Sequence, residues 1–185
     1  MMRLISTVAA ACIVLAGCAP KPTAEKPPAI AGGSSMTITS PAFANGDTIP
    51  KRFSAYGDGK SPELDWTNVP EGAKSFALIC RDPDAPSGTF IHWVIFNIPA
   101  TARQLAEGLP ATERLPDGTV QGRNGAGKTG YFGPRPPSGT HHYHFDLYAL
   151  DTTLALGPSA TADSLSAAIG SHMVAKATLT GLYGK

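Results

Sequence analysis

Short apolar runs, separated by stretches rich in glycine and proline, make up the chain from residue 36 to its end. Five runs are rich in β-branched or aromatic residues, or alternate apolar with polar positions, and they predict strands at 36–39, 74–80, 90–98, 141–150 and 177–183. Helical spacing occurs at 163–176, where Leu165, Ile169 and Met173 recur every fourth position. The pattern therefore predicts a mainly β domain with a helix near the C-terminus.

The segment 109–139 has no hydrophobic period and is rich in glycine and proline, so we predict a long loop there. Loops of this length inside compact domains are usually functional. The composition agrees with a turn-rich β domain, because the chain holds 20 glycines and 17 prolines, which helix interiors do not tolerate. The formal net charge is only +1 and the basic residues are scattered, which argues against nucleic-acid binding.

The first 35 residues differ in composition from the rest of the chain. Arg3 precedes a mostly apolar run of 13 residues at 4–16, which suits a signal peptide and is too short to span a bilayer. The run ends in Leu-Ala-Gly-Cys at 15–18, which resembles the bacterial lipobox, whose cysteine receives a lipid. We predict a lipoprotein signal peptide at 1–17, a lipid-anchored flexible tether at 18–35 and a domain at 36–185. An ordinary secretory signal with a chance cysteine is the alternative.

A lipidated Cys18, carrying palmitate or a similar acyl chain, would anchor the exported protein to a membrane of the cell envelope. Ala19 rather than aspartate follows this cysteine. By resemblance to other lipoproteins, this indicates the periplasm-facing side of the outer membrane where the bacterium has two membranes.

A string that matches the P-loop pattern lies inside the long loop, at 122–129. In a P-loop a helix begins at the lysine and points its N-terminus at the phosphates. The eight residues after Thr129 include three prolines and two glycines, which cannot form that helix. We therefore predict that this string binds no nucleotide.

Two further segments carry polar side chains at the ends of predicted strands. Asp82 and Asp84 lie in a proline-rich turn directly after the strand at 74–80, where the prolines stiffen the chain. His92 lies within the apolar strand at 90–98, and simple alternation would place it on the face of Val94 and Phe96. Because both faces of that strand are apolar, we expect His92 to be enclosed and to need a hydrogen-bond partner.

The strand at 141–150 begins with three histidines and a tyrosine. Alternation places His141 and Tyr143 on one face, with His142 and His144 on the other. Two imidazoles, a phenol and the exposed amides of the long loop would suit an anion or phosphate pocket.

Several short motifs occur in the order seen in one known family, over essentially residues 36–185. They are SPELDW at 61–66, DPDAP at 82–86, HW at 92–93, QGRN at 121–124, GY at 130–131, GP at 133–134, PP at 136–137, HxY at 141–143 and YALD at 148–151. The set resembles the phosphatidylethanolamine-binding protein family, in particular its bacterial branch of Raf-kinase-inhibitor-like proteins. The resemblance implies a fold of two packed antiparallel sheets with a few peripheral helices, and a small pocket for phosphate-like or carboxylate anions.

The resemblance also assigns roles to single residues. It implies pocket residues at Asp82, His92, Gly133, His141 and Tyr143, with Asp84 and Pro86 shaping the turn, in which a cis Ala85–Pro86 bond is an expectation. The chain departs from the family in two places. His142 stands where arginine is usual, and the small pair Gly125–Ala126 replaces an aspartate and an aromatic residue, which is expected to loosen the pocket rim.

We therefore predict a membrane-tethered, non-catalytic protein that binds a small phosphate or phosphomonoester group, with no cofactor and no metal. Asp82 is expected to orient an imidazole and keep it charged, so that binding strengthens as the pH falls. One alternative is a metal-dependent enzyme that uses His141, His142 and His144 with Asp82 or Asp84. The other is an inhibitor of a protease or kinase-like protein partner, acting through the same pocket or its rim.

Overall fold

The computed structural model describes residues 35–185. The predicted signal peptide, Cys18 and nearly all of the tether lie outside the described residues. Eight strands form two antiparallel sheets, and no helix of the described part is long and apolar enough to cross a membrane. The predicted fold of two packed antiparallel sheets is confirmed. The expected few helices comprise one α-helix and two single-turn 3-10 helices, at Lys51–Phe53 and Gly170–His172, in the part of the chain described.

The larger sheet has five strands in the order β6-β4-β3-β7-β8, and the smaller has three in the order β1-β2-β5. The strands of the larger sheet are β3 (Ser75–Asp82), β4 (Phe90–Pro99), β6 (Val120–Gln121), β7 (Thr140–Leu150) and β8 (Met173–Gly184). Those of the smaller are β1 (Thr37–Thr39), β2 (Leu64–Thr67) and β5 (Gln104–Leu105). Of the eight, the sequence pattern predicted β1, β3, β4, β7 and β8.

At strands β3 and β4 both faces of the larger sheet are covered by apolar side chains. Between the two sheets lies the main core, which includes Trp66, Phe76, Trp93 and Phe145. A second cluster lies on the opposite face of β3 and β4, where helix α1 (Ala162–Ile169) packs. A strand covered on both faces reads as a continuous apolar run, which explains the pattern of β3.

Helix α1 is shorter than predicted. Its N-terminus is capped by Thr161 and Ser164, whose side chains each accept the other's backbone N–H in a capping box. The helix ends at Ile169, and Gly170 begins a single 3-10 turn. The predicted continuation to residue 176 is wrong, because Met173 already pairs with Leu150 of β7 and starts the edge strand β8. Pairing along the sheet outweighs the helical spacing of a few apolar residues.

The predicted loop at 109–139 is confirmed except at Val120–Gln121, which form the short strand β6, and the buried Gln121 of this strand fixes the rest of the loop to the sheet. Trp93 donates its indole N–H to Oε1 of Gln121 at 2.8 Å, and the Gln121 amide donates to the carbonyl oxygens of Pro110 and Thr112 at 2.7 and 2.8 Å. These bonds hold the loop against β4.

The P-loop-like string forms a tight turn with no helix after it. Oδ1 of Asn124 accepts the backbone N–H groups of Ala126 and Lys128, at 3.0 and 3.1 Å. Asn124 also donates its own backbone N–H to the Lys128 carbonyl at 2.9 Å. The amides that would cradle a phosphate in a P-loop are therefore used within the turn.

A β-bulge in β4 changes the predicted position of His92. Cys80 pairs with Trp93 and the next residue, Arg81, pairs with Ile91, so His92 is the extra residue. Ile91 packs with the second cluster, whereas the His92 ring contacts Tyr143 of the main core. The prediction that His92 shares a face with Val94 and Phe96 is therefore wrong, because the bulge interrupts the alternation.

Candidate anion-binding site

A cavity of about 320 Å³ opens where the ends of β3, β4 and β7 meet the long loop. It is lined by Asp82, Ala85, Pro86, Ser87, Phe90, His92, Ala126, Phe132, Arg135, Pro137 and His141. Its volume is at the small end of the range for ligand sites, and such sites combine an apolar wall with a few placed polar groups. The cavity thus brings together Asp82, His92 and His141 from three strands, as the sequence predicted for these side chains.

Asp82 and His141 form a buried pair at the base of the cavity. Nδ1 of His141 lies 2.7 Å from Oδ2 of Asp82, and the two residues are only 6% and 3% exposed. The other carboxylate oxygen accepts the backbone N–H of Asp84 at 2.9 Å. An ionised carboxylate can only accept, so Nδ1 is the donor and Nε2 of His141 is left for a ligand.

His92 is held by the long loop rather than by a carboxylate. Its Nδ1 donates to the carbonyl oxygen of Phe132 at 2.6 Å, and the Phe132 N–H donates back to the His92 carbonyl at 2.8 Å. Burial lowers the pKa of His92, although the Phe132 carbonyl and the charge of Asp82 act to raise it. His92 is therefore neutral near pH 7, with a lone pair on Nε2.

The hydrogen bonds show which imidazole Asp82 orients. The hydrogen bond from Asp82 goes to His141, so Asp82 does orient an imidazole as expected. It does not keep His92 charged, because the desolvation of His92 outweighs the attraction of Asp82 and the pKa falls. Nε2 of His92 can therefore donate to an anion near pH 7 only if it takes up a proton on binding.

Tyr143 lies beneath the cavity, where its ring meets the His92 ring edge-to-face at a centroid distance of 5.0 Å. Its hydroxyl is buried and has no hydrogen-bond partner among the described residues. Burial, and then the charge of Asp82, raise the pKa of the phenol, so it stays protonated. The backbone amide of Arg135 acts to lower this pKa but does not meet hydrogen-bond geometry with the hydroxyl. A buried hydroxyl without a partner needs an explanation, and a bound ligand would supply one.

The remaining predicted site residues lie around the cavity with different roles. Pro86 lines it, whereas Gly133 does not. A Cβ at Gly133 would lie 2.6 Å from backbone atoms of the segment 53–55, so this glycine permits close packing of the loop. Asp84 turns outward, and its Oδ2 accepts both the backbone N–H and Nδ1–H of His142, at 2.8 and 2.7 Å.

The expectation of a cis Ala85–Pro86 bond is wrong. The segment 35–185 contains no cis peptide bond, so this one is trans. A proline permits both forms and favours trans by only about 0.5–1 kcal/mol, so a family tendency does not fix the isomer in each member.

Several cavity residues were missed from the sequence, of which Arg135, Phe90 and Phe132 have the largest side chains. Arg135 is the one Lys or Arg side chain among the lining residues, and Phe90 and Phe132 form part of the apolar wall with ring centroids 5.6 Å apart. Phe132 lies one position before Gly133 and Arg135 two positions after it. Their nearness in sequence to a predicted pocket residue could have indicated that they line the cavity. The motifs that carry the family resemblance do not include Arg135, which lies between the GP motif at 133–134 and the PP motif at 136–137.

The three histidines of β7 do not form one metal site. His141 points to the cavity, while the rings of His142 and His144 stack on the opposite face, 6.3 Å apart and 13° from parallel. No group of three His, Cys, Asp or Glu side chains in the described part of the chain is placed to hold a metal ion. The geometry therefore does not supply the ligand set of the metal-dependent enzyme that was the alternative.

Comparison with protein families matches residues 39–184 to "phosphatidylethanolamine-binding protein". The chain belongs to the phosphatidylethanolamine-binding protein family. It is 51% identical over 148 residues to a UPF0098 protein of Methanothermobacter thermautotrophicus, covering 80% of this chain and 98% of the relative. A UPF0098 protein of Aquifex aeolicus is 43% identical over 156 residues, covering 83% and 91%.

Solved structures of the family share this fold. A phosphatidylethanolamine-binding protein homologue from Chlamydia trachomatis has a TM-score of 0.75 and 41% identity, covering 82% of this chain and 98% of that one. E. coli YBCL, a member of the mammalian PEBP family, has a TM-score of 0.76 and 34% identity, covering 82% and 99%. The resemblance seen in the motifs is thereby confirmed.

Proposed function

We propose that the domain is a non-catalytic binding protein whose cavity holds a small anion, a phosphomonoester or carboxylate head group. The observation that carries the proposal is the convergence of His92 and His141 on one cavity. In each ring Nδ1 is already engaged by an oxygen atom. Each ring therefore offers Nε2 to whatever occupies the cavity.

The charges around the cavity support an anion rather than a neutral ligand. Proton uptake at both Nε2 atoms would give two charged donors, and Arg135 at the cavity wall adds a permanent positive charge. Asp82 carries the opposite charge, but one of its oxygens is bonded to His141 and the other to a backbone amide. The remaining excess of positive charge matches a dianion such as a phosphomonoester.

The apolar part of the cavity supports a ligand larger than the anion alone. Phe90, Phe132, Pro86, Pro137 and Ala126 form much of the wall. An inorganic ion would leave these side chains without contacts, whereas an organic group attached to the anion would cover them. The family description points in the same direction, since it names a phospholipid with a phosphate-bearing head group.

The experiment is a calorimetric titration of the wild type, His92→Ala and His141→Ala with O-phosphoethanolamine at pH 5.5 and pH 8. A hydrogen bond to a charged group is worth about 1.5–3 kcal/mol, so each variant should lose roughly 10- to 150-fold in affinity at pH 5.5. His172→Ala is the matched control, because His172 is an exposed histidine bonded to Asp151 and lies away from the cavity. Equal affinity in all four proteins would contradict the proposal.

The proposal also includes the membrane. A lipid on Cys18 would hold the domain at a membrane of the cell envelope, with the proline-rich segment up to residue 35 as its tether. Its support is the sequence at 15–18 and the composition of the segment that follows.

A further inference from the structure

The outer face of β7, opposite the cavity, carries two neighbouring histidines. His142 and His144 are two residues apart, so their side chains share a face of the strand. Their rings lie nearly parallel, 13° apart, with centroids separated by 6.3 Å. The side chain of His142 is 53% exposed, so a ligand can approach this pair from solvent.

Each of the two rings is already bonded at Nδ1. Nδ1 of His142 lies 2.7 Å from Oδ2 of Asp84, and because the carboxylate only accepts, Nε2 carries the lone pair in the neutral ring. Nδ1 of His144 lies 2.9 Å from the hydroxyl of Thr180, which can accept in the same way. Histidines that bind metals usually donate the other ring N–H to a carboxylate or a similar oxygen, which fixes the ring.

We propose that His142 and His144 form a two-histidine site for a late first-row divalent ion such as Ni²⁺, Cu²⁺ or Zn²⁺. Imidazole nitrogen suits these ions, and the two Nε2 atoms would bind one ion in adjacent positions with water in the others. A metal–nitrogen distance of about 2.0–2.1 Å requires the Nε2 atoms to lie roughly 3 Å apart. From a centroid separation of 6.3 Å the rings would have to tilt toward each other to reach that distance, and the 53% exposure of the His142 side chain leaves room for this movement.

The neighbouring charged groups leave the site free for a cation. Arg81 pairs with His144 across the strands, but its guanidinium group is bonded to Asp146, which also accepts from Lys176 at 2.9 Å. Asp84 adds a negative charge directly behind His142. Within 35–185 no third His, Cys, Asp or Glu completes the set, so this is a chelating site on the surface and not a catalytic centre.

The site is independent of the proposed function of the cavity. His141 lines the cavity and Tyr143 packs against His92 beneath it, whereas His142 and His144 lie on the opposite face of β7. It is also a feature of this chain, since arginine is the residue expected at position 142 from the family resemblance. Loss of metal binding and loss of anion binding should therefore follow from different substitutions.

The test is a calorimetric titration of the full-length protein with NiCl₂ in a buffer that does not bind metals. We expect one ion per chain, and a loss on the order of 100-fold in affinity in His142→Arg and in His144→Gln, because each removes half of a chelate. Asp84→Asn should weaken binding by about 10- to 100-fold, since it removes the oxygen partner of a ligating ring. His144→Gln keeps an amide that can reach Thr180, and circular dichroism would show that the variants are folded.

His172→Ala is the matched control. His172 is also exposed and bonded to a carboxylate, that of Asp151, but no second histidine lies beside it. The His172→Ala variant should bind Ni²⁺ as the wild type does. None of these substitutions changes a cysteine, so any binding by thiols is common to all of these proteins. Unchanged affinity in His142→Arg and His144→Gln, or an equal loss in His172→Ala, would overturn the proposal.

Discussion

Removing the hydroxyl of Tyr143 should make the unliganded protein more stable. This hydroxyl is buried without a hydrogen-bond partner among the described residues, and so is the hydroxyl of Tyr131. Tyr143 lies against His92 below the cavity, whereas Tyr131 packs edge-to-face on Trp93 with ring centroids 5.6 Å apart. Tyr143→Phe and Tyr131→Phe therefore form a matched pair, because both remove one unpaired oxygen and keep the ring.

The magnitude follows from the cost of burying an unpaired polar group. That cost is about 1–3 kcal/mol, and phenylalanine does not incur it. For a domain of about 150 residues, each kcal/mol corresponds to roughly 2–4 °C in Tm. We therefore expect both variants to unfold several degrees above the wild type. If the Tyr143 hydroxyl donates to the anion in the bound state, only Tyr143→Phe should also weaken binding, by roughly tenfold.

The assay combines thermal and urea unfolding of the ligand-free proteins with the O-phosphoethanolamine titration. A fall in the free energy of unfolding of Tyr143→Phe would refute the reasoning, because it would mean that the hydroxyl makes a stabilising bond in the free protein. If Tyr143→Phe and Tyr131→Phe lost the same affinity for O-phosphoethanolamine, the Tyr143 hydroxyl would not be a donor to the ligand.

Three further predictions concern other parts of the molecule. Burial acts to raise the pKa of Asp146, but hydrogen bonds from Thr178, Lys176 and Arg81 outweigh it and the pKa is lowered. In urea unfolding at pH 6 the wild type should therefore be more stable than Asp146→Asn. This difference in the free energy of unfolding should be lost as the pH falls below about 3.8. Calorimetric titration with ATP and magnesium should give the same result for the wild type and Lys128→Ala, with no specific binding in either, because the amides of the turn at 122–129 are already bonded. Cys18→Ser should move the protein from the membrane fraction to the soluble fraction, and a variant that stays membrane-bound would contradict the anchor.

The long strands were predictable because burial on both faces gives a continuous apolar run and burial on one face gives an alternating one. The apolar run at 74–80 is central strand β3, and the alternation that begins at His141 is the inward and outward pattern of β7. The two-residue strands β5 and β6 are too short to show a period, and β2 was missed although Leu64 and Trp66 alternate with polar neighbours.

The site was predictable where regular alternation holds and not where the backbone departs from it. His141 and Tyr143 lie on the predicted face of β7. The position of His92 depends on a bulge, and a bulge inserts one residue without a fixed sequence pattern. Arg135 reaches the cavity through the course of a loop, which hydrophobic periodicity does not describe.

The most direct test of the central claim is the protonation of His92 when an anion binds. Its Nδ1 is held by the Phe132 carbonyl and its pKa is lowered by burial, so near pH 7.5 the free protein has no proton on Nε2. Nitrogen-15 NMR of the histidine rings, with and without saturating O-phosphoethanolamine at pH 7.5, reports this proton directly. We predict that Nε2 of His92 becomes protonated in the complex while His172 does not change. An unprotonated His92 in the saturated complex would contradict the account of the cavity as an anion site.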